Sequence, residues 1–170
     1  MVTLLLIASI LLVALYVGVT IWRKKELPPS ISEMVFDLPT MWQWVWTAWL
    51  AIVDIFAAPA LFEAMPENWQ FVGFFFIGCL LFVAAMPLVR KSRNKAHEIL
   101  AIAAGIFSQL CVGIICPWFF LMWVVFAIIP FFDKKWYMPG LPMWMIRSRL
   151  FLVEAVCAIT LYGSVITRLI

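Results

Sequence analysis

The sequence predicts an all-α membrane protein: a single bundle of six transmembrane helices, with a short interfacial helix after the first. Three observations predict it. Hydrophobic residues make up 66% of the chain and charged residues 12%, with a mean hydropathy of +1.08, whereas soluble domains carry about 25% charged residues. Apolar runs long enough to span about 30 Å of hydrocarbon recur along the chain. The basic residues fall in the short connections between these runs, where they set topology and do not suggest nucleic acid as a partner. Lipid offers the backbone no hydrogen-bond partners, so such runs fold as helices. A transmembrane β-barrel would instead need short alternating segments.

Taken in order, the spans are placed at about 1–22, 41–62, 69–89, 97–112, 117–132 and 150–170, all within one integral membrane domain covering 1–170. The first run, Met1 to Trp22, is closed by Arg23, Lys24 and Lys25. A cleaved signal peptide carries its charge before the apolar core and ends in small residues. Here the charge follows the core, so the run reads as a retained span with its N-terminus outside. The next stretch, ELPPSISEMVFDLPT, is too short and too polar to cross. Ser30 and Glu33 match a capping box, and Pro39 stops whatever helix begins there. We read it as a short helix lying in the inner interface, with Met34, Val35 and Leu38 on its apolar side and Glu33 and Asp37 toward water.

Span two carries the feature around which the rest is arranged. Thr40 and Gln43 offer a second capping box at its start. Trp42, Trp46 and Trp49 share one face at i, i+4, i+7, with Trp44 elsewhere. Tryptophans at a span's entry mark the headgroup region, but Trp49 lies too deep for that and should pack on another helix. Asp54 follows Met41 by 13 residues, roughly 20 Å along a helix. Pro59 lies near the outer end. A short loop, Glu63 to Asn68, leads into span three, which closes on Arg90, Lys91, Arg93 and Lys95.

Residues 96–132 are too many for one straight span and barely enough for two. The positive-inside rule decides between them. A hairpin turning near Gly113 to Trp118 puts eleven of the twelve basic residues on the inner side and leaves only Arg168 outside. A single crossing splits them eight to four. The hairpin is therefore expected, with Gly113 and Pro117 at its turn. Pro139, Gly140 and Pro142 then preclude a regular helix before span six. This places the chain in the inner (cytoplasmic) membrane with both termini outside.

Ionisable and polar residues inside a span are costly and become functional candidates by default. Asp54, Ser108, Gln109 and Glu154 form one candidate set, a polar intramembrane site able to hold a proton, a cation or a lipid headgroup. Ser108 and Gln109 lie at a depth in span four similar to that of Asp54 in span two, so the two spans, if adjacent, bring them together. The competing structural reading is an interhelical hydrogen bond from a protonated Asp54. Glu154 lies roughly 10 Å in from Arg147, where pairing with Arg147, Arg149 or Lys95 would be structural. His97, Glu98, Arg93 and Lys95 form a second set, an interfacial headgroup site. One histidine cannot supply a typical catalytic zinc site, and His97 and Glu98 as neighbours do not share a helix face. Their catalytic alternative is general acid–base work on a lipid phosphate or amide. Cys79, Cys111, Cys116 and Cys157 lie in apolar runs with no C-x-x-C and read as small buried hydrophobes. No metal or cofactor is expected.

The segment LPPSISEMVFDLP ahead of the later spans resembles a group of small polytopic bacterial or phage-borne membrane proteins that share a P-x-S-I-S entry segment and carry no assigned activity. The stretch KAHEILAIAAG is similar to six-span eukaryotic families of the autophagy-modulator type. Membrane hydrolases of the ceramidase and adiponectin-receptor type use several histidines, and this chain has one. The resulting expectation is a non-enzymatic six-span protein that binds membrane lipid, or assembles with copies of itself or a partner membrane protein. The alternatives are a small proton- or cation-coupled transporter or channel using Asp54, and a headgroup-modifying enzyme using His97 and Glu98.

Overall fold

The computed structural model describes residues 1–25, 28, 30–32, 34–89, 95–124 and 149–170, with the side chains of Asp37, Val89 and Arg149 excepted. Every regular element among them is helical. Five helices dominate: α1 (Val2–Lys24), α2 (Gln43–Ala64), α3 (Gln70–Val89), α4 (Lys95–Ile115) and α5 (Arg149–Leu169). All five are long and apolar enough to cross a membrane. Because they are apolar on nearly every side, burial is decided by which neighbour each face meets and not by an amphipathic stripe.

The helices pack in sequence, α1 on α2, α2 on α3, α3 on α4 and α4 on α5, with α5 also touching α2. Consecutive pairs from α1 to α4 are antiparallel. Trp49 meets Tyr16 and the Leu12 carbonyl, and Ser9 meets Val53. Thr47 bonds the Ala84 carbonyl at 2.6 Å, while Phe62 packs on Phe74. Lys24, Lys25 and Lys95 therefore gather at one end, the basic end, with Glu63 and Glu67 at the far end.

α4 and α5 run parallel. The Cys157 sulfur lies opposite Gly105, and one turn further along Gln109 bonds Thr160. The chain turns sharply after Ile115. Cys116 adopts an extended conformation, Pro117–Phe120 form a 3-10 turn, and helix resumes at Leu121. Phe119 and Phe120 fill the space beside Gly163 and Gly113. The Trp123 indole N–H then donates to Gln109 Oε1 at 2.7 Å, so the chain has doubled back along α4 by that point. The return that must precede α5 falls on residues outside the described set, as do Pro139, Gly140 and Pro142.

Two apolar cores stack along the bundle. Leu6, Ala60, Leu61, Val72, Phe76, Cys111, Val112, Leu161 and Val165 fill the far half. Val35, Trp46, Val83 and Ala84 fill the basic end, with Leu100 and Ala101 against them. Val35 does not come from a spanning helix. The entry segment folds inward, and Pro28, Ser30, Met34 and Val35 are each almost wholly buried. Among its described residues, the helical piece between Pro28 and Leu38 is a 3-10 turn, Met34–Asp37, packed into the bundle and not laid along a surface as an amphipathic α-helix would be. Glu33 lies outside the described residues. The second capping box does not form: α2 begins without a side-chain cap, and the Gln43 amide donates instead to the Leu38 carbonyl at 3.4 Å.

Candidate functional site

Between the two cores lies a thin polar layer, and Asp54 is its most deeply buried acid. Ten residues separate Asp54 from Ala64, the last residue of α2, or ~15 Å at 1.5 Å per residue. That puts it near mid-span. Asp54 is 3% exposed, and its Oδ2 has no hydrogen-bond partner among the described residues. Ser9 of α1 donates to the carbonyl of the preceding residue, Val53, at 3.0 Å. Ser9 Oγ also lies 2.6 Å from the Tyr162 hydroxyl of α5. Since the single Ser9 proton goes to Val53, Tyr162 is the donor in that second bond. Three helices thus meet at the carbonyl of Val53, the residue next to Asp54. A carboxylate this deep cannot be both charged and unpaired. It must carry a proton or take a cation or water when it ionises.

Ser108 and Gln109 do not reach Asp54. α3 packs between α2 and α4, and Gln109 belongs to a second polar group on the other side of α5. Its amide donates to Thr160 Oγ1 at 3.1 Å and Ser108 Oγ at 3.2 Å, and its carbonyl accepts from Trp123. Ser108 bonds back to the Gly105 carbonyl at 2.7 Å. Here the Gln109 amide joins α4 to α5 and to Trp123, which is what an amide in a dry bundle ordinarily does.

Glu154 is bonded by the entry segment. Four donors of the entry segment converge on its carboxylate. Ser30 Oγ lies 2.8 and 2.9 Å from the two oxygens, Ser32 Oγ lies 2.7 Å from Oε1, and the Ile31 and Ser32 N–H groups point at Oε2. Two consecutive amides and two hydroxyls make a cradle suited to a carboxylate. This bond set pins the Pro28–Leu38 segment across the basic end. Arg147 and the Arg149 side chain lie outside the described set.

His97 is 1% exposed and meets the Phe36 ring edge-on, with centroids 5.4 Å apart. The inward fold of the entry segment covers it. Glu98 is half-exposed and Lys95 exposed, while Arg93 lies outside the described residues. No group of three histidine, cysteine, aspartate or glutamate side chains gathers as a metal site among the described residues.

Sequence reasoning named Asp54 but missed Ser9, Tyr162, Ser30 and Ser32. Ser9 and Tyr162 carried a usable signal, being polar residues in otherwise apolar runs. Ser30 was read only as a helix-capping residue, and Ser32 was given no role. No protein-family model, no curated protein and no solved structure matches this chain, so the geometry of the Asp54 layer and the Glu154 cradle carries the functional argument alone.

Proposed function

We propose that this chain is a six-crossing protein of the cytoplasmic membrane, basic end inward, that exchanges a proton or small cation at Asp54 as part of transport. The observation that carries this reading is Asp54 itself: a mid-span carboxyl group, 3% exposed, with an oxygen unpartnered among the described residues. A carboxyl group that served only to join helices would be expected to spend its proton and lone pairs on neighbours, as Gln109 does. Six crossings are supported by the parallel α4 and α5, which require the chain to return between them, and by the gathering of basic residues at one end. The entry segment and its Glu154 cradle would close the inner side of the bundle below Asp54.

The headgroup-modifying alternative has less support. His97 is 1% exposed and packed against Phe36, so a headgroup would have to displace the entry segment to reach it. The competing structural role for Asp54 is separable by mutation, because Asp54→Asn keeps shape and hydrogen bonding but cannot exchange a proton.

The test is flux in proteoliposomes under imposed proton, sodium and potassium gradients, with the vesicle interior read by ion-sensitive dyes. The parent protein should move protons or one of these cations. Asp54→Asn should abolish that movement with its unfolding midpoint little changed. Absence of flux in the parent, or equal flux in Asp54→Asn, would overturn the proposal.

A further inference from the structure

At the basic end, a cleft of about 440 Å³ lies between α1 and α2, within the roughly 300–1,000 Å³ typical of ligand sites. Tyr16 lines it from α1, Trp46 and Trp49 line it from α2, Trp42 lines it from just before α2, and Pro39 of the entry segment closes one side. Arg23, on the last turn of α1, is the one charged residue among the described residues of its lining, and none of those residues carries a carboxylate. We propose that this cleft binds one anionic phospholipid, with its phosphate on Arg23 and an acyl chain running inward along Tyr16 and Trp49.

Four features argue for this occupant. Both helices that form the cleft are long and apolar enough to span a membrane, so it opens where lipid is the solvent. Tyr16 and Arg23 are seven residues apart, so the cleft runs ~10 Å along α1, from headgroup level into the acyl region. Its floor is preformed: Tyr16 and Trp49 stack at 4.3 Å, and the Trp49 indole donates to the Leu12 carbonyl at 3.3 Å. Little ordering therefore remains to oppose binding. Finally, Trp46 is 1% exposed, and its indole N–H has no acceptor among the described residues. A buried unsatisfied donor is costly, and a lipid ester carbonyl is the kind of acceptor that would satisfy it. The charge balance selects the headgroup. A phosphate with no attached cation matches a site holding one guanidinium, whereas the choline of a zwitterionic lipid would find no anion among the described residues of the lining.

The experiment uses the full chain in nanodiscs of mixed phosphatidylglycerol and phosphatidylcholine, with retained lipid counted by native mass spectrometry. The parent should retain phosphatidylglycerol above its bulk fraction, and Arg23→Gln should lower that enrichment about tenfold, as expected for loss of a charge-assisted contact. Lys25→Gln changes the same surface charge outside the cleft and should leave the enrichment as it was. Soluble glycerol phosphate should not compete, which separates lipid from a free anion. Enrichment that is absent in the parent, survives Arg23→Gln, or falls equally in Lys25→Gln would overturn the proposal.

Discussion

Replacing Glu154 with alanine removes the acceptor for four donors of the entry segment at once: the hydroxyls of Ser30 and Ser32 and the amides of Ile31 and Ser32. The hydroxyls retain each other at 2.8 Å, so the two amides carry most of the loss. Each buried donor left without a partner costs about 1–3 kcal/mol. Some relaxation and water entry are expected, because Glu154 is only half-buried. The net destabilisation should be on the order of 3 kcal/mol. Glu154→Gln keeps one acceptor oxygen and should lose about half as much. Reversible unfolding in mixed micelles, titrated with sodium dodecyl sulfate, measures both. Limited proteolysis gives an independent readout, since cleavage within Pro28–Leu38 should accelerate in Glu154→Ala before global unfolding. If Glu154→Ala falls within ~0.5 kcal/mol of the parent, the range of an inconsequential surface change, the cradle does not hold the segment and the reasoning fails. Should Glu154→Ala not fold at all, Ser32→Ala removes one hydroxyl and should cost about 1 kcal/mol.

Two further outcomes are expected. In a cysteine-free background, single cysteines at 92 and 134 should both be labelled from the side that labels position 25, and labelling of 134 from the opposite side would reduce the crossings to five. A Cβ built on Gly163 overlaps the Phe119 ring, so Gly163→Ala should cost about 1–3 kcal/mol by overpacking; Gly78→Ala, with nothing within 4 Å of its added Cβ, is the matched control and should be near neutral.

What the sequence made legible followed from the price of polarity in lipid. Asp54 and Gln109 stood out as polar groups deep in apolar runs, and Trp49 as an aromatic residue too deep to be an interfacial anchor. Trp49 indeed packs on Tyr16 of α1. The turn after Ile115 fits the hairpin expected from the distribution of Lys and Arg, although the crossing it implies lies on residues outside the described set. Helix partners were not legible. Spans two and three are apolar all round, so periodicity does not say which face meets which neighbour. The expected meeting of Asp54 with Gln109 rested on adjacency alone, and α3 separates them. The Ser30–Glu154 bond joins residues 124 apart in sequence, and backbone N–H donors leave no trace in a sequence. The entry segment was read as an interfacial helix from its Ser30–Glu33 capping box and its apolar and acidic sides. Burial of Met34 and Val35, together with the Glu154 cradle, turns it inward instead. Ser9 escaped notice because a serine in an apolar helix ordinarily bonds its own backbone, whereas here it reaches across to α2 and α5.

The central claim, that Asp54 exchanges its proton or a cation with the surrounding solution, is tested most directly by infrared difference spectroscopy on the reconstituted protein. The carboxyl band absent from Asp54→Asn identifies the group. On stepping bulk pH or cation concentration, that band should convert between its acid and carboxylate forms. A band that holds one form across the whole range in which the protein stays folded would contradict the account and leave Asp54 as a structural group.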